Sequence, residues 1–214
     1  MRVVILGSAE IKNYEKISRY INPEDFIIAC DGGLNHVEKL GLSPSAVDLI
    51  VGDFDSHSRP NEQDFPSAQI VQLPCEKDDT DVFFAVKEAL HRGFTDFILL
   101  GVIGQRFDHS LVNVSVLLYL KKHGAAGVIY DDYSKMQLVV AGTKPTLIPD
   151  TYSYFSLMTL EKEAVGVTIK NAKYPLENAT IENSYQLGVS NQVIPEQQAE
   201  VSVKTGSLLL IQVW

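Results

Sequence analysis

Two stretches of the chain, Gly52-Asp53-Phe54-Asp55-Ser56 and Lys77-Asp78-Asp79-Thr80-Asp81, crowd carboxylates closely enough to do chemistry. In extended chain, residues two apart point the same way, so Asp53 and Asp55 offer two carboxylates to one face. Such a pair suits Mg2+, a hard cation that takes oxygen ligands. Asp, Gly and Ser also build ordinary polar turns, and taken alone the stretch reads equally well as one. In the second stretch Thr80 or Asp79 can cap the helix that opens at Val82, and acids in a first turn suit the helix dipole. Capping accounts for one or two of these carboxylates and not for the run as a whole. With Asp78 and Asp81 both on the first turn, their spacing sets them on one side of it. Two carboxylates about 5 Å apart repel by about 1 kcal/mol in water and about 3 kcal/mol at an effective dielectric of about 20. Several such pairs would outweigh a cap, whereas a bound divalent cation turns the repulsion into attraction. The combination therefore points to metal-dependent phosphate chemistry.

Two further loops carry the groups that such chemistry needs. Asp31-Gly32-Gly33 follows an apolar run; paired glycines let backbone approach a ligand, and a following helix offers free N–H groups to an anion. On its own it is an ordinary strand-to-helix turn. The loop Gly101-Val102-Ile103-Gly104-Gln105-Arg106-Phe107-Asp108-His109 adds positive charge, because the Arg106 guanidinium is a fork suited to phosphate oxygens. Asp108 is placed to cap the helix that follows. His109 ranks below Arg106, since a histidine at a helix start is more often structural or solvated. There is no P-loop, no kinase-type glycine loop and no nucleophile elbow. His36, His57, His91 and His123 lack metal-ligand spacing and read as surface residues, and Asp131-Asp132 as a polar connection.

The elements that must position these loops alternate through the first half. Strands are expected at Val3–Leu6, Phe26–Cys30, Val47–Val51, Ala68–Leu73, Phe97–Gly101 and Gly127–Tyr130. Helices are expected at Tyr14–Ile21, Leu34–Leu40, Val82–His91 and Asp108–Lys122, with Gly41, Gly93 and Gly124 at their ends. Alternation of this kind implies right-handed crossovers and a Rossmann-like, mostly parallel sheet with flanking helices, whose ligands sit beyond the carboxyl ends of the strands. After about residue 132 the texture changes to short β-rich runs at Met136–Ala141, Tyr152–Thr159, Val165–Lys170, Ala199–Val203 and Leu208–Trp214. Turn residues separate them, as in a small antiparallel sandwich or barrel. The expected fold class is thus α/β, with an α/β catalytic domain over 1–132 and a smaller all-β domain over 133–214.

Bulk properties exclude several functions. Of the 214 residues 45% are hydrophobic and 21% charged, the balance of a folded globular protein with a sizeable core. The formal charge is −9 without a Lys/Arg cluster, which argues against a nucleic-acid partner and implies that a cation mediates any phosphate contact. No segment reaches the length of a membrane span, and the N-terminal apolar run is too short for a signal peptide. A soluble cytoplasmic protein is expected. Cys30 and Cys75 read as buried small hydrophobes in a reducing compartment.

Taken together and in this order, the four loops resemble the thiamine pyrophosphokinase family: Asp31-Gly32-Gly33, Gly52-Asp53-Phe54-Asp55-Ser56, Asp78-Asp79-Thr80-Asp81 and Gly104-Gln105-Arg106-Phe107-Asp108-His109. Val189-Ser190-Asn191 resembles a motif of that family's thiamine domain. The resemblance implies transfer of a diphosphoryl group from ATP, as co-substrate, to the hydroxyl of thiamine, giving thiamine diphosphate and AMP with Mg2+ as cofactor. It implies that Asp53, Asp55 and Asp81 hold the metal or position the nucleophile, supported by Asp78 and Thr80, and that Arg106 binds phosphates. Asp31, Gly32, Gly33, Gly104, Asp108 and His109 would complete the nucleotide site. Which carboxylate takes the hydroxyl proton stays open. Family members are similar in forming homodimers with sites between subunits, where Ser190 and Asn191 would line the thiamine pocket. The chain departs from some relatives in carrying Leu208-Leu209-Leu210 where a tryptophan stacks on thiamine; Trp214 comes later, at the end. The catalytic half would also serve another acceptor alcohol, such as a hydroxymethylpterin, and the β-rich half favours thiamine.

Overall fold

The computed structural model describes residues 2–54, 60–61, 63–76 and 78–214. The chain divides into two compact units, Met1–Asp132 and Tyr133–Trp214. In the first, strands β1 (Arg2–Leu6), β2 (Phe26–Cys30), β3 (Val47–Gly52), β4 (Gln69–Gln72), β5 (Asp96–Leu100) and β6 (Ala126–Tyr130) lie in the order β6-β5-β1-β2-β3-β4. Every pairing among them is parallel. β1 and β5 are buried along nearly their whole length, as strands covered on both faces must be. The chain winds outward from β1 to β4, then returns to the other side of β1 at β5. Loops leaving β1 and β5 therefore diverge and open a crevice beyond the carboxyl edge of the sheet.

Helix α1 (Tyr14–Ser18) is capped by Asn13, whose side-chain Oδ1 accepts from the Lys16 N–H. It ends three residues earlier than its apolar pattern suggests. Residues Asp31–His36 and Glu38–Leu40 form two 3-10 runs in place of the expected α-helix, and Gly41 closes the second at φ 76°. The tighter winding follows from Gly33: a Cβ there would stand 2.2 Å from the Leu6 carbonyl oxygen, so the turn lies directly on the end of β1. Helix α2 (Asp81–His91) buries Val82, Ala85, Val86 and Ala89 on one face, and α3 (Phe107–Lys122) buries Ser110, Asn113, Val116, Leu117 and Leu120.

The second unit holds β7 (Ser134–Val140), β8 (Thr146–Pro149), β9 (Tyr154–Met158), β10 (Glu163–Lys170), β11 (Leu176–Glu182), β12 (Gly188–Asn191), β13 (Gln198–Ser202) and β14 (Ser207–Val213). They form the orders β12-β9-β14-β7 and β11-β10-β13-β8, all pairs antiparallel. Both sheets feed one apolar cluster that includes Ile148, Phe155, Leu157, Ile169, Ile181, Val201 and Leu210. The chain is thus a mixed α/β protein with a large parallel sheet followed by antiparallel β structure. Among the described residues no helix is long and apolar enough to cross a membrane.

Candidate active site

A crevice of about 850 Å³ in the first unit lies where the sheet order reverses. Its walls come from successive strand ends: Ser8, Ala9 and Glu10 after β1, Cys30 and Asp31 at the end of β2, Asp53 after β3, Thr80 and Asp81 at the start of α2, and Gly101, Val102, Gly104, Gln105 and Arg106 after β5. His109, Ser110 and Asn113 of α3 close it. Asp31, Asp53, Thr80, Asp81, Gly104, Arg106 and His109, expected from the sequence, therefore meet in one place. Gly32 and Gly33 lie buried beneath it, and Gly33 meets the β1 backbone rather than open space. Asp78 stands exposed outside the first turn of α2, because the helix begins only at Asp81. Asp79 is ion-paired with Lys87. Asp55 and His57 lie outside the described residues.

The acidic side is built by strained turns. Asp31 sits at φ 43° and Phe54 at φ 55°, values that cost side chains with a Cβ free energy and that cluster at functional sites. At Phe54 the turn sends the ring back against the apolar core below β3, leaving Asp53 on the crevice. Thr80 caps α2, its Oγ1 accepting from the Phe83 N–H at 3.2 Å, which fixes Asp81 at the helix start. Burial, then the neighbouring charges of Asp81 and Asp31, push the Cys30 thiol well above its ordinary range, so it is an inert neutral floor. Cys30 is buried as expected, but Cys75 is exposed, on the loop after β4 where no sheet covers it.

The opposite side is basic and anion-ready. Arg106, not Asp108, occupies the N-cap position of α3, and its side chain makes no cap bond. Asp108 lies one residue inside the helix and grips the guanidinium: Nε donates to Oδ1 at 3.1 Å and a terminal nitrogen to Oδ2 at 2.6 Å. That contact holds the Asp108 carboxyl far below the usual carboxylate range and raises Arg106. Both side chains are well exposed, so the clasp is weak and open to exchange. The loop itself is tied from beneath. Ser110 Oγ accepts from the Gly104 N–H at 3.0 Å, and Asn113 Nδ2 donates to the Val102 carbonyl at 2.7 Å. Sequence reasoning missed Ser8, Glu10, Ser110 and Asn113; for the last two the available signal was helical spacing that puts them in line with the apolar Val116, Leu117 and Leu120 of α3.

One histidine assignment changes. His36, expected at the surface, is buried at 5% exposure, since the 3-10 turn rolls it beneath the β1 loop. In the second unit, Asn191 is buried and spends its amide on the fold: Oδ1 accepts from Tyr174 N–H and Gln192 N–H, and Nδ2 donates to the Tyr174 carbonyl. Ser190 beside it is exposed at φ 58°. Trp214 stacks on Tyr152, ring centroids 5.2 Å apart.

The donor set fits a divalent cation. Asp31, Asp53 and Asp81 present carboxylate oxygens to one crevice. Among the described residues, no three His, Cys, Asp or Glu side chains already enclose a common point. Mg2+ asks for no such cage, since it keeps several waters and takes one or two carboxylates plus phosphate oxygens.

A parallel sheet whose switch-point crevice sets carboxylates against an arginine and a helix start defines an α/β domain suited to phosphate-group transfer. The catalytic-domain model of thiamin pyrophosphokinase matches residues 17–129, and the vitamin B1 binding domain model of thiamin pyrophosphokinase matches residues 145–208. The chain belongs to the thiamin pyrophosphokinase family. It is 26% identical over 201 residues to thiamin pyrophosphokinase 1 of Caenorhabditis elegans, covering 90% of this chain and 80% of that one. It is also 26% identical over 200 residues to the thiamine pyrophosphokinase of Bacillus subtilis strain 168, covering 92% and 91%. The crystal structure of the thiamine pyrophosphokinase from Bacillus subtilis superposes with a TM-score of 0.85 at 23% identity, over 100% of this chain and 99% of that one, so the fold is shared.

Proposed function

We propose that the chain is a Mg-dependent thiamine diphosphokinase. The thiamine hydroxyl oxygen bonds to the β-phosphorus of ATP, the bond from that phosphorus to the α,β-bridging oxygen breaks, and AMP leaves. The hydroxyl proton passes to a crevice carboxylate. The observation that carries this reading is the match of both family models in order along one chain. The crevice agrees with it: Asp53 and Asp81, with Asp55 by resemblance, would hold the metal, and Asp31 and Thr80 stand beside them. Bound there, Mg2+ would neutralise phosphate charge and lower the cost of the developing negative charge. Arg106 would exchange Asp108 for a phosphate oxygen, leaving Asp108 held by the His109 N–H. The first turn of α3 supplies further N–H groups.

The first unit is read as a Rossmann-like ATP/Mg domain and the second as a thiamine-binding β domain, sandwich-like in its two sheets around one core. The protein is read as cytoplasmic and, from the family resemblance, as a homodimer, with Ser190 facing thiamine and Asn191 bracing that segment. The test is incubation of the purified chain with ATP, Mg2+ and thiamine, followed by chromatography of nucleotides and thiamine esters. AMP and thiamine diphosphate should appear together, and Asp53→Asn or Asp81→Asn should cut the rate by about 100-fold, the scale of losing one charge-stabilising group. ADP with thiamine monophosphate would overturn the mechanism. AMP release with a pterin alcohol and not with thiamine would replace the substrate.

A further inference from the structure

His36 is a buried titratable group that the reaction above does not use, and it joins three loops of the crevice. It is the last residue of the turn that begins at Asp31. Its Nε2 lies 3.0 Å from the Ala9 carbonyl oxygen, in the loop after β1. A carbonyl only accepts, so Nε2 carries the proton and Nδ1 accepts from the Tyr14 hydroxyl at 2.8 Å. On its other side the same Ala9 donates its N–H to the Gly101 carbonyl, in the loop after β5, at 2.8 Å. Gly101 adopts φ 61°, and a Cβ there would stand 2.7 Å from the Gly7 carbonyl oxygen and 3.3 Å from the His36 ring. One residue thus links the β2 turn bearing Asp31 to the β1 loop, and through it to the loop that leads to Arg106.

We infer that His36 is a positioning residue for the reaction: by donating to Ala9 it sets the β1 and β5 loops at the spacing that nucleotide phosphates require, and Tyr14 holds the ring in place by donating to Nδ1. This rests on the reading of the crevice as the Mg-ATP site. The chemistry explains the choice of residue. The Ala9 carbonyl fixes the tautomer, and in a buried ring the remaining Nδ1 lone pair needs a donor, which Tyr14 supplies. Without the Tyr14 hydroxyl, Nδ1 is left unsatisfied and the ring loses the contact that orients Nε2 toward the Ala9 oxygen. Glutamine at this position has an amide nitrogen in the place of Nε2 and no Nδ1 to satisfy.

The experiment measures Mg-ATP affinity by calorimetry, together with thermal midpoints, for the unaltered chain, His36→Leu, His36→Gln, Tyr14→Phe and the Tyr14→Phe/His36→Gln double variant. His36→Leu should bind about tenfold more weakly, the scale of one lost buried hydrogen bond, and His36→Gln should recover most of that affinity. Equal affinity in the two single variants, or no loss in His36→Leu, overturns the inference whatever their melting temperatures. Should His36→Leu fail to fold, the Tyr14 pair decides. Tyr14→Phe should weaken binding where His36 is present and have no effect in the His36→Gln background, and a loss of equal size in both overturns the inference. An unaltered chain that does not bind Mg-ATP overturns the nucleotide reading and this inference with it. Affinity kept without AMP formation fails the reaction alone.

Discussion

His36 shows how one side chain sets both a site and a pH response. Burial holds its imidazole below the ordinary 6.5, partly opposed by the bond to Ala9 and assisted by the nearby Lys39. The folded chain therefore declines a proton that the unfolded chain accepts. Its contribution to stability is full above about pH 6.5, falls with pH between that value and the lower folded one, and is level below it. The groups facing it are Tyr14, whose own ionisation is raised by burial and by Glu10 and Asp132, and Lys39, which lies 5.7 Å from the Tyr14 ring centroid. Tyr14 stays neutral over this range. Melting temperature measured from about pH 7.5 down to about pH 5.5 should fall less steeply for His36→Gln than for the unaltered chain. Identical slopes would mean that His36 titrates alike in both states and is not held neutral by the fold.

At the scale of elements, α2 and its cap decide where an acidic side chain points. Thr80 interrupts the run of acids, and its hydroxyl satisfies the Phe83 N–H, so Asp81 becomes the first helical residue and faces the crevice. Thr80→Ala should cost about 1 kcal/mol, a shift of about 2–4 °C in melting temperature, and Thr80→Ser should restore it. Calorimetry of the three proteins checks this, and an unchanged midpoint for Thr80→Ala would remove the cap from the account. Much of this scale was legible beforehand. The parallel strands stand within a residue or so of their expected ends, because buried strands declare themselves as continuous apolar runs between turn residues. β8, β11 and β12 were not foreseen, for physical reasons. β8 is four residues long and ends on Pro149; β11 is largely exposed and alternates weakly; β12 carries Ser190 at positive φ, which breaks its register with β9. The acids of the site were visible as local crowding. His36, Ser110 and Asn113 were not, since each acts through a backbone carbonyl or N–H brought near only by the tertiary fold.

For the whole molecule, charge sets the conditions under which a nucleotide can bind. The chain carries a formal charge of −9, and Asp31, Asp53 and Asp81 face the same crevice, so a phosphate chain meets both a long-range and a local repulsion. These differ in how they respond to ions. The long-range part is screened within about 3 Å at 1 M salt and about 8 Å at 0.15 M. The local part acts between groups that would share a site, where screening is weak and only a cation between them reverses the sign. Arg106, half committed to Asp108 and well exposed, cannot offset three carboxylates alone. ATP should therefore bind at least about tenfold more weakly in EDTA than with Mg2+. Raising monovalent salt in EDTA should recover little of that loss, and restoring Mg2+ at the same ionic strength should recover nearly all of it. Titrations in the three buffers distinguish the two sources of repulsion. If salt alone restores affinity, the net charge of the molecule governs binding and the crevice carboxylates do not hold the metal.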